Sequence, residues 1–387
     1  ARGGTGREDA TRALGGLVRG MLWARLHPLR TTDLGALVDA LRWEARQGRV
    51  SIDESGHAES RTTIYHYKQN VKAWSGPLLL ARGAVLYEPA GGAPELVASP
   101  FPKFFDAEAD SVPLVEVFCR SVGWEATEKL DGSMGLLFHH RGRWTLITKR
   151  SWESPQAAWG RRWLEAAGVR LHALAVGTTY VCEIVFAANL VVTQYGAERE
   201  GVVLCGAIGA DGVELSRAQL VAACEASGLP LVPLLASGFG GLAPRGGEAA
   251  SGRRGAALDG GSLRSEAEVA QGLETLQALR DQAAAYAGRE REGVVVRFAF
   301  ADGGCHRVKL KSDDYKRLYR LQDGCTQRGV WAAARAGGGA LGEMRAALPP
   351  EFLPFFEQAV AAVLGAAADV LDGAHRAVAL SGCAHDA

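Results

Sequence analysis

The sequence predicts an α+β fold in which a mainly antiparallel body is followed by a small helical region. From residue 61 to about 210 the chain carries short β-like apolar runs that Gly, Asp and Asn separate. A hairpin is expected at Gly293–Phe300 and Cys305–Lys311, because the residues between them include the turn Asp302-Gly303-Gly304. After Asp313 the apolar residues recur at helical spacing, which predicts helices in the remainder of the chain.

Three earlier helices are predicted from apolar spacing and from residues that begin or end helices. The first covers residues 33–47 and has Asp33 as its expected N-cap. The second covers residues 216–224 and is expected to end before Gly228. The third lies near residues 265–287, directly before the hairpin.

Composition divides the 387 residues into three parts. Residues 1–32 form a basic, Gly-rich leader that we expect to lack stable structure. Residues 33–318 form the main domain. At about 237–262 this domain contains a Gly/Ala/Arg-rich stretch with too little apolar content to pack, which predicts a flexible insertion. Residues 319–387 form a helical C-terminal domain.

The charge balance excludes a protein that coats nucleic acid through uniform positive charge, because 43 basic and 43 acidic side chains cancel. A local basic groove remains open. No uninterrupted apolar run approaches the roughly 18 residues that a membrane span needs, so a soluble protein is expected. Seven scattered cysteines, never spaced as Cys-x-x-Cys, favour an intracellular, reducing compartment without identifying the organelle.

Lysine is rare in this chain: eight of the 43 basic residues are lysine and 35 are arginine. A lysine that is kept is therefore a candidate for work that arginine cannot do, as an amine nucleophile or a compact phosphate ligand. The alternative explanation for any single lysine is that a codon bias favours arginine and this lysine remains by chance.

The central motif is a turn that leads into a predicted strand near residue 135. It reads Glu128-Lys129-Leu130-Asp131-Gly132-Ser133. A Lys-x-Asp-Gly match is rare by chance at this composition. An ordinary type I turn with Asp and Gly in their usual places is the alternative.

Four charged residues join this motif. Glu183 lies in the middle of an apolar strand, where a lone carboxylate is costly unless a metal, a cation or a hydrogen-bond donor meets it. Glu292 stands at the start of the predicted strand Gly293–Phe300. Lys309 and Lys311 are two residues apart on a strand, so both ammonium groups point to one face. Solvent-facing lysines on an edge strand are the alternative for this pair.

In this order the residues resemble the covalent nucleotidyltransferases, the superfamily of ATP-dependent polynucleotide ligases and mRNA capping enzymes. Lys129-Leu130-Asp131-Gly132 is similar to the nucleophile motif, Glu183 to the third motif and Glu292-Gly293 to the fourth. Lys309-Leu310-Lys311 is similar to the closing lysine pair. The resemblance implies an antiparallel-sheet nucleotidyltransferase domain with an ATP-grasp-like ligase fold.

Neighbouring blocks narrow the resemblance to RNA ligases typified by the tRNA-repairing ligase of tailed bacteriophages, with kinship to the ligase module of fungal tRNA ligases. These blocks are Ala81-Arg82-Gly83, Phe101-Pro102-Lys103-Phe104-Phe105, Thr148-Lys149-Arg150-Ser151 and Lys311-Ser312-Asp313-Asp314-Tyr315. The likeness covers residues 61 to about 320. Asp106, Leu190 and the Gly-rich insertion depart from the family pattern, and they concern RNA-end specificity rather than adenylation.

The resemblance implies a reaction in three steps. Lys129 would attack the α-phosphate of ATP to form a lysyl–AMP, AMP would pass to an RNA 5′-phosphate, and an RNA 3′-hydroxyl would displace AMP. Lys309, Lys311 and a divalent metal, Mg²⁺ or Mn²⁺, would lower the pKa of Lys129 and stabilise the α-phosphate. Together with Asp131 these three lysines form the implied catalytic set.

The implied nucleotide-binding set is larger. Arg82 and Lys103 would grip the β- and γ-phosphates, and Lys149 would bind phosphate. Glu183 and Glu292 would position the hydrated metal ion or the ribose. The complete set is Arg82, Lys103, Phe105, Glu128, Gly132, Lys149, Glu183, Glu292 and Tyr315.

Three other functions stay open. The chain could be the ligase module of a tRNA-splicing enzyme, with end-healing kinase or phosphatase domains on the same or a separate chain. It could be a capping-type guanylyltransferase, which shares the nucleophile motif and uses GTP. It could also be a catalytically silent RNA-binding module. For a ligase, the expected partner is RNA with 5′-phosphate and 3′-hydroxyl ends, such as cleaved tRNA, and not a membrane.

Overall fold

The computed structural model describes most of the expected main domain and the helices after it. It covers residues 33–57, 60–69, 71–108, 114–189, 191–238 and 265–382. The expected leader, 1–32, and residues 239–262 of the expected insertion lie outside the described residues. Residues 237 and 238 belong to a strand instead, because they pair with Glu125 and Trp124.

The N-terminal part is a four-stranded antiparallel sheet with the order β1-β2-β3-β4. The predicted first helix is confirmed, since the Asp33 carboxylate accepts a hydrogen bond from the backbone N–H of Ala36 at 3.2 Å. This helix buries Leu37 and Leu41 against the sheet region. The elements are α1 (Leu34–Arg46), β1 (Val50–His57), β2 (Ser60–Tyr67), α2 (Gly76–Leu80), β3 (Arg82–Pro89) and β4 (Glu95–Ala98).

Two further sheets form the body, with strand orders β10-β9-β7-β8 and β11-β6-β12-β13-β5. All their pairings are antiparallel except that between β13 and β5, so the predicted α+β class is confirmed. The strands are β5 (Phe105–Asp106), β6 (Ser121–Lys129), β7 (Ser133–His140), β8 (Arg143–Thr148), β9 (Thr179–Val185), β10 (Gly201–Ile208), β11 (Leu234–Gly238), β12 (Gly293–Phe300) and β13 (Cys305–Lys311). The predicted hairpin β12–β13 is confirmed at the predicted bounds.

Four helices accompany these strands: α3 (Leu114–Arg120), α4 (Pro155–Ala166), α5 (Arg217–Ser227) and α6 (Glu266–Ala284). The predicted helix after residue 216 is confirmed, and Gly228 follows it in the left-handed conformation with φ of 86°. The predicted helix near 265–287 is α6 and is slightly shorter. Helix α6 begins with a capping box at Ser265. This capping box was not used as a helix-start signal in the prediction from sequence.

The five-stranded sheet has an apolar face and a polar face. Val294, Val296 and Phe298 of β12 are buried in one core with residues of α6. The alternate residues Val295 and Arg297 face the four-stranded sheet of the body and line the space between the two sheets. The polar face can therefore carry binding residues, while the apolar face is covered by α6.

Strand register sets three rows of residues across β6, β12 and β13 on the polar face. The outer row is Lys129–Gly293–Lys311, the middle row is Thr127–Val295–Lys309 and the inner row is Glu125–Arg297–Arg307. The predicted common face of Lys309 and Lys311 follows from this register. Lysines far apart in sequence are thereby brought to one face of the sheet, on β6 and β13, with β12 between them.

The remaining described chain is helical, as the sequence predicts. Its elements are α7 (Asp313–Gly324), α8 (Gln327–Ala336), α9 (Ala340–Ala346) and α10 (Leu353–Gly382). They share a core that includes Leu318, Val330, Phe352 and Phe356, and Val192 from the loop after β9 belongs to the same core. Helix α7 runs across the domain boundary expected between residues 318 and 319.

Helix α10 is long and rich in alanine. The segment Leu353–Arg376 has a mean hydropathy of 1.3, enough to cross a membrane by length and composition alone, and 11% of it is buried. Its first half packs into the helical core through Phe356 and Ala359. The sequence predicts this helix but gives no uninterrupted apolar run of spanning length, because Glu357 and Asp369 interrupt it.

Replacing Gly293 with alanine should destabilise the fold. Gly293 lies between Lys129 and Lys311 with φ of 154°, and a Cβ atom there would collide with the carbonyl oxygen of Leu310. We expect Gly293→Ala to lower the free energy of unfolding by about 1–3 kcal/mol. Urea unfolding of the full chain measures this change.

Gly342→Ala is the matched control, because Gly342 lies in α9 and a Cβ there would meet no atom within 4 Å. We expect this control to gain about 0.5–1 kcal/mol from lower chain entropy in the unfolded state. Equal stabilities for the two variants would contradict the register argument.

Candidate active site

A cavity of about 230 Å³ lies between the two sheets of the body. Seven of the residues predicted from sequence line it: Arg82, Glu128, Lys129, Gly132, Lys149, Glu183 and Lys309. They come from β3, β6, the turn after β6, the end of β8, β9 and β13. The structure thus brings most of the predicted set to one enclosed space.

Glu292 lies beside this cavity and joins two of the predicted lysines. One carboxylate oxygen accepts from Lys129 Nζ at 2.6 Å, and the other lies 3.0 Å from Lys311 Nζ. The Glu292 side chain is only 3% exposed, so its charge is balanced mainly by these two ammonium groups. The outer row explains the contact, because Glu292 directly precedes Gly293, which stands between the two lysines.

The pKa of Lys129 departs from the sequence expectation. Neighbouring cations were expected to lower it, but among the protein's own groups the balance goes the other way. Burial does lower this pKa, yet the carboxylates of Glu292 and Glu183 outweigh burial and raise it above the ordinary value. Lys129 is therefore held as an ammonium ion by the protein's own charges.

Lys309 behaves in the opposite way. Burial, followed by the positive charges of Lys129 and Arg82, lowers the pKa of Lys309 to about 7. No described carboxylate forms an ion pair with Lys309, so an anion entering the cavity would meet an ammonium group that lacks a counter-ion. This lysine is suited to stabilise negative charge.

Glu183 reaches the cavity from the middle of β9, as predicted. Burial raises its pKa to about 7, with Lys129 opposing and Glu292 adding to the increase. One oxygen accepts from the backbone N–H of Gly132 at 3.1 Å. A Cβ on Gly132 would lie 2.5 Å from the carbonyl oxygen of Ile184, which explains glycine in the motif.

The donor set fits a divalent cation only in part. No group of three or more His, Cys, Asp and Glu side chains in the described ranges is arranged to hold a metal. Mg²⁺ commonly binds through one or two carboxylates plus phosphate oxygens, and Glu183 in the cavity fits that pattern. Both oxygens of Glu292 are engaged by lysines, so its role as a metal ligand remains a prediction.

Asp131 is committed to the protein rather than to a ligand. Its carboxylate accepts from the backbone N–H groups of Val192 and Thr193 at 2.8 and 2.9 Å, and from the Tyr315 hydroxyl at 2.8 Å. The backbone N–H of Asp131 donates to the Tyr195 hydroxyl at 2.7 Å. Asp131 therefore connects the turn that bears Lys129 with two other segments, the loop after β9 and helix α7. In this geometry Asp131 positions the turn, and its catalytic role remains a prediction.

Tyr315 shapes the site through this hydrogen bond to Asp131 and through its ring. Lys311 Nζ lies 5.1 Å from the Tyr315 ring centre and 5.8 Å from that of Tyr319. The two rings are stacked with centres 6.0 Å apart. The sequence resemblance extends to Leu318-Tyr319-Arg320 but assigns Tyr319 no role in the site, although its spacing of four residues from Tyr315 on a helix was a usable signal.

The Phe104-Phe105 pair divides between two environments. Phe104 lines the cavity, with the Arg82 guanidinium 5.3 Å and the Lys309 ammonium 5.0 Å from its ring centre. Phe105, the residue predicted from sequence, lies outside the cavity lining with Lys103. Adjacent residues in the extended β5 segment point to opposite sides, so only one of the two can face the cavity.

Glu128 and the residues of the inner row also line the cavity. The Glu128 carboxylate pairs with Arg199 at 2.7 Å, and its nucleotide-binding role remains a prediction. Arg307 donates two hydrogen bonds to Glu214 at 2.6 and 2.5 Å, and Arg297 donates to the same carboxylate at 3.2 Å. The inner row was missed from sequence, although Arg307 and Lys309 alternate on the same strand.

Comparison with known proteins gives structural neighbours only; no protein-family model and no curated protein matches the sequence. The chain is similar to an archaeal ATP-dependent RNA ligase, with a TM-score of 0.48 and 16% identity over 86% of this chain and 81% of that chain. It is similar to a protein assigned as an ATP-dependent DNA ligase from Aquifex aeolicus, with a TM-score of 0.43 and 12% identity over 84% and 71%. A Naegleria gruberi RNA ligase mutant with AMP and Mn gives a TM-score of 0.36 and 16% identity over 54% and 55%.

These neighbours include ATP-dependent RNA ligases, the family that the sequence motifs resemble. None of the three comes from a tailed bacteriophage, so the narrower branch stays a prediction. The geometry of the cavity carries the functional conclusion that follows.

Replacing Glu292 with glutamine should lower the pKa of Lys129. The substitution removes the largest interaction that raises this pKa and leaves burial, which lowers it. The pH dependence of labelling of Lys129 by an amine-specific reagent, followed by mass spectrometry, measures the shift. Asp313→Asn is the control, since the Asp313 side chain is 73% exposed and pairs with Lys316, three residues along the same helix, at 3.2 Å. An unchanged Lys129 profile in Glu292→Gln would contradict the assigned cause.

Replacing Lys309 with methionine should stabilise the protein more at pH 6 than at pH 9.5. The folded-state pKa of Lys309 is about 7, below its ordinary value of 10.5. Below pH 7 the folded protein bears the full cost of a buried ammonium ion, and this cost disappears as pH rises through 7 toward 10.5. Denaturant unfolding at the two pH values measures the difference, and an equal gain at both would count against a lowered pKa.

Proposed function

We propose that this chain is an ATP-dependent RNA ligase that works through a lysyl–AMP and an RNA-adenylate. The observation that carries the proposal is the cavity in which one lysine, Lys129, is held against a buried carboxylate. Facing it are Arg82, Lys149 and Lys309, and none of these three cations forms an ion pair with a described carboxylate.

Such a set of uncompensated cations supports binding of a polyanion. Burial removes water from these three positive groups, and no ion pair offsets the cost. Phosphate oxygens in the cavity would offset it by accepting charge-assisted hydrogen bonds. Arg82 supports this further, since its Nε and one terminal nitrogen are buried with no hydrogen-bond partner in the described structure. The triphosphate of ATP is the ligand that the sequence resemblance implies.

Lys129 is placed to act as the nucleophile. In the proposed first step its nitrogen forms a bond to the α-phosphorus of ATP, the bond to the leaving oxygen breaks, and pyrophosphate departs. The proton of Lys129 passes to Glu292, the base to which it already donates at 2.6 Å. Lys309, which forms no ion pair with a described carboxylate, stabilises the charge on the phosphate in its ammonium form, and the arriving phosphate itself favours that form.

A divalent ion, Mg²⁺ or Mn²⁺, would be held by Glu183 and phosphate oxygens and would supply further charge neutralisation when bound. Burial raises the pKa of Glu183 to about 7, and a cation bound beside it would lower that pKa and favour the ionised form that ligates a metal. Glu183 also contacts the backbone of Gly132, so it orients the turn that carries the nucleophile.

We propose RNA as the acceptor, with 5′-phosphate and 3′-hydroxyl ends, and repair of cleaved tRNA as the biological setting. Support comes from the resemblance of the blocks around Arg82, Lys103 and Lys149 to RNA ligases. The helical region adjoins the nucleophile turn through the Tyr315–Asp131 hydrogen bond, so RNA docked on the helices would lie close to the adenylate.

Lys129→Ala should abolish covalent labelling by α-labelled ATP in the presence of Mg²⁺, because alanine removes the attacking amine. Denaturing electrophoresis of the labelled protein measures the loss. Lys316→Ala is the control, since Lys316 lies on α7 and pairs with Asp313, and it should keep full labelling. Label on Lys129→Ala would refute the nucleophile assignment, and label from GTP alone would indicate capping chemistry.

The acceptor is tested with purified, ATP-charged protein. A 5′-phosphorylated, 3′-hydroxyl RNA should be circularised or joined, and the matching DNA strand should not. Transfer of AMP to DNA ends instead would contradict the RNA assignment while leaving the adenylation step intact.

A further inference from the structure

Lys103 lies inside a cage of three aromatic rings. Its ammonium nitrogen is 4.7 Å from the Tyr67 ring centre, 4.6 Å from that of Trp74 and 5.2 Å from that of Phe105. It also donates a hydrogen bond to the Tyr67 hydroxyl at 3.3 Å. The rings support one another edge to face, with Trp74 centred 4.9 Å from Tyr67 and 5.8 Å from Phe105. Neither Tyr67 nor Trp74 belongs to any motif identified from sequence.

The cage holds an ammonium ion without neutralising it. Lys129 and Lys311 are fixed by the carboxylate of Glu292, which cancels part of their charge. Lys103 is fixed by neutral rings and one hydroxyl, and no described carboxylate pairs with it. An aromatic cage therefore restricts the lysine while leaving its positive charge and two of its three N–H donors for an anion.

Backbone hydrogen bonds place the cage beside the other phosphate-binding candidates. The N–H of Tyr67 donates to the carbonyl oxygen of Ala81 at 2.6 Å, directly before Arg82. The N–H of Lys103 donates to Leu79 at 2.8 Å, in the helix that leads to β3. The cage is thus attached to the chain segment that carries Arg82.

The Tyr67 hydroxyl interacts electrostatically with three cations. Burial raises the pKa of its hydroxyl, but Lys103, Arg82 and Lys149 together outweigh burial and lower it. Gly83 permits this arrangement, because a Cβ there would lie 2.9 Å from the Cα of Lys149. Arg82 contributes two buried N–H groups that lack partners in the described structure.

We propose that Tyr67 and Trp74 are positioning residues that hold Lys103 for the terminal phosphates of a triphosphate or for departing pyrophosphate. The identity of the nucleotide rests on the proposed function. The chemistry of the cage, recognition of a polyphosphate, rests on the cations and rings alone.

The test is calorimetric titration of the full chain with inorganic tripolyphosphate. Trp74→Leu should weaken binding about two- to thirty-fold, the range expected for loss of a cation–π contact. Trp74→Phe should keep most of the affinity, since it restores an aromatic face. Trp331→Leu is the matched control, because Trp331 is 50% exposed on α8, and it should bind as the wild type does. Binding of AMP, which lacks the terminal phosphates, should be the same in all four proteins.

A double-mutant cycle separates positioning from a purely structural role. In a Lys103→Met background, Trp74→Leu should cause no further loss, since there is no cation left to hold. An equal loss in both backgrounds, or weakening of AMP and tripolyphosphate alike, would overturn the proposal. Tryptophan-dependent tripolyphosphate binding without adenylation of Lys129 would uphold the cage and refute the ligase function.

Discussion

The site depends above all on the buried carboxylate of Glu292 and the two ammonium groups that it holds. A buried carboxylate is costly unless it is paired, and removing either lysine would leave uncompensated charge. Because Lys129 and Lys311 lie on different strands, the same ion pairs hold β6 and β13 at the register that Gly293 allows. One carboxylate thus fixes the position of the nucleophile, keeps its proton in place and stabilises the sheet that carries it.

Asp131 extends this constraint to the helical region. Its three accepted hydrogen bonds join the nucleophile turn to Tyr315 of α7 and to a loop whose Val192 is packed in the helical core. A displacement of the helices would therefore move Asp131, which is two residues from Lys129. This provides a physical link between a macromolecule docked on the helices and the reactive amine.

Sequence reasoning identified Lys129, Glu183, Glu292, Lys309 and Lys311 as one group, because motif order and strand alternation are visible along the chain. It did not foresee that Glu292 and Glu183 raise the pKa of Lys129 among the protein's own groups, since the sign depends on which charges lie nearest in space. It named Phe105, which lies beside Lys103, and did not show that Phe104 faces the cavity, because alternation shows that neighbours diverge without showing which of them points inward. It missed Trp74 and Tyr67, which carry no family motif and act through contacts with a lysine far along the chain.

The sequence by itself determined the α+β class, the β12–β13 hairpin, the helical end and the residue types needed for phosphate chemistry, because turns, caps and apolar periodicity are local properties. Only the tertiary structure decided how each cation is held: Lys129 by a carboxylate, Lys309 without an ion pair to a described carboxylate, and Lys103 by aromatic rings. These differences arise from burial and from charges on strands that are distant in sequence, and both depend on the packing of the two sheets around the cavity.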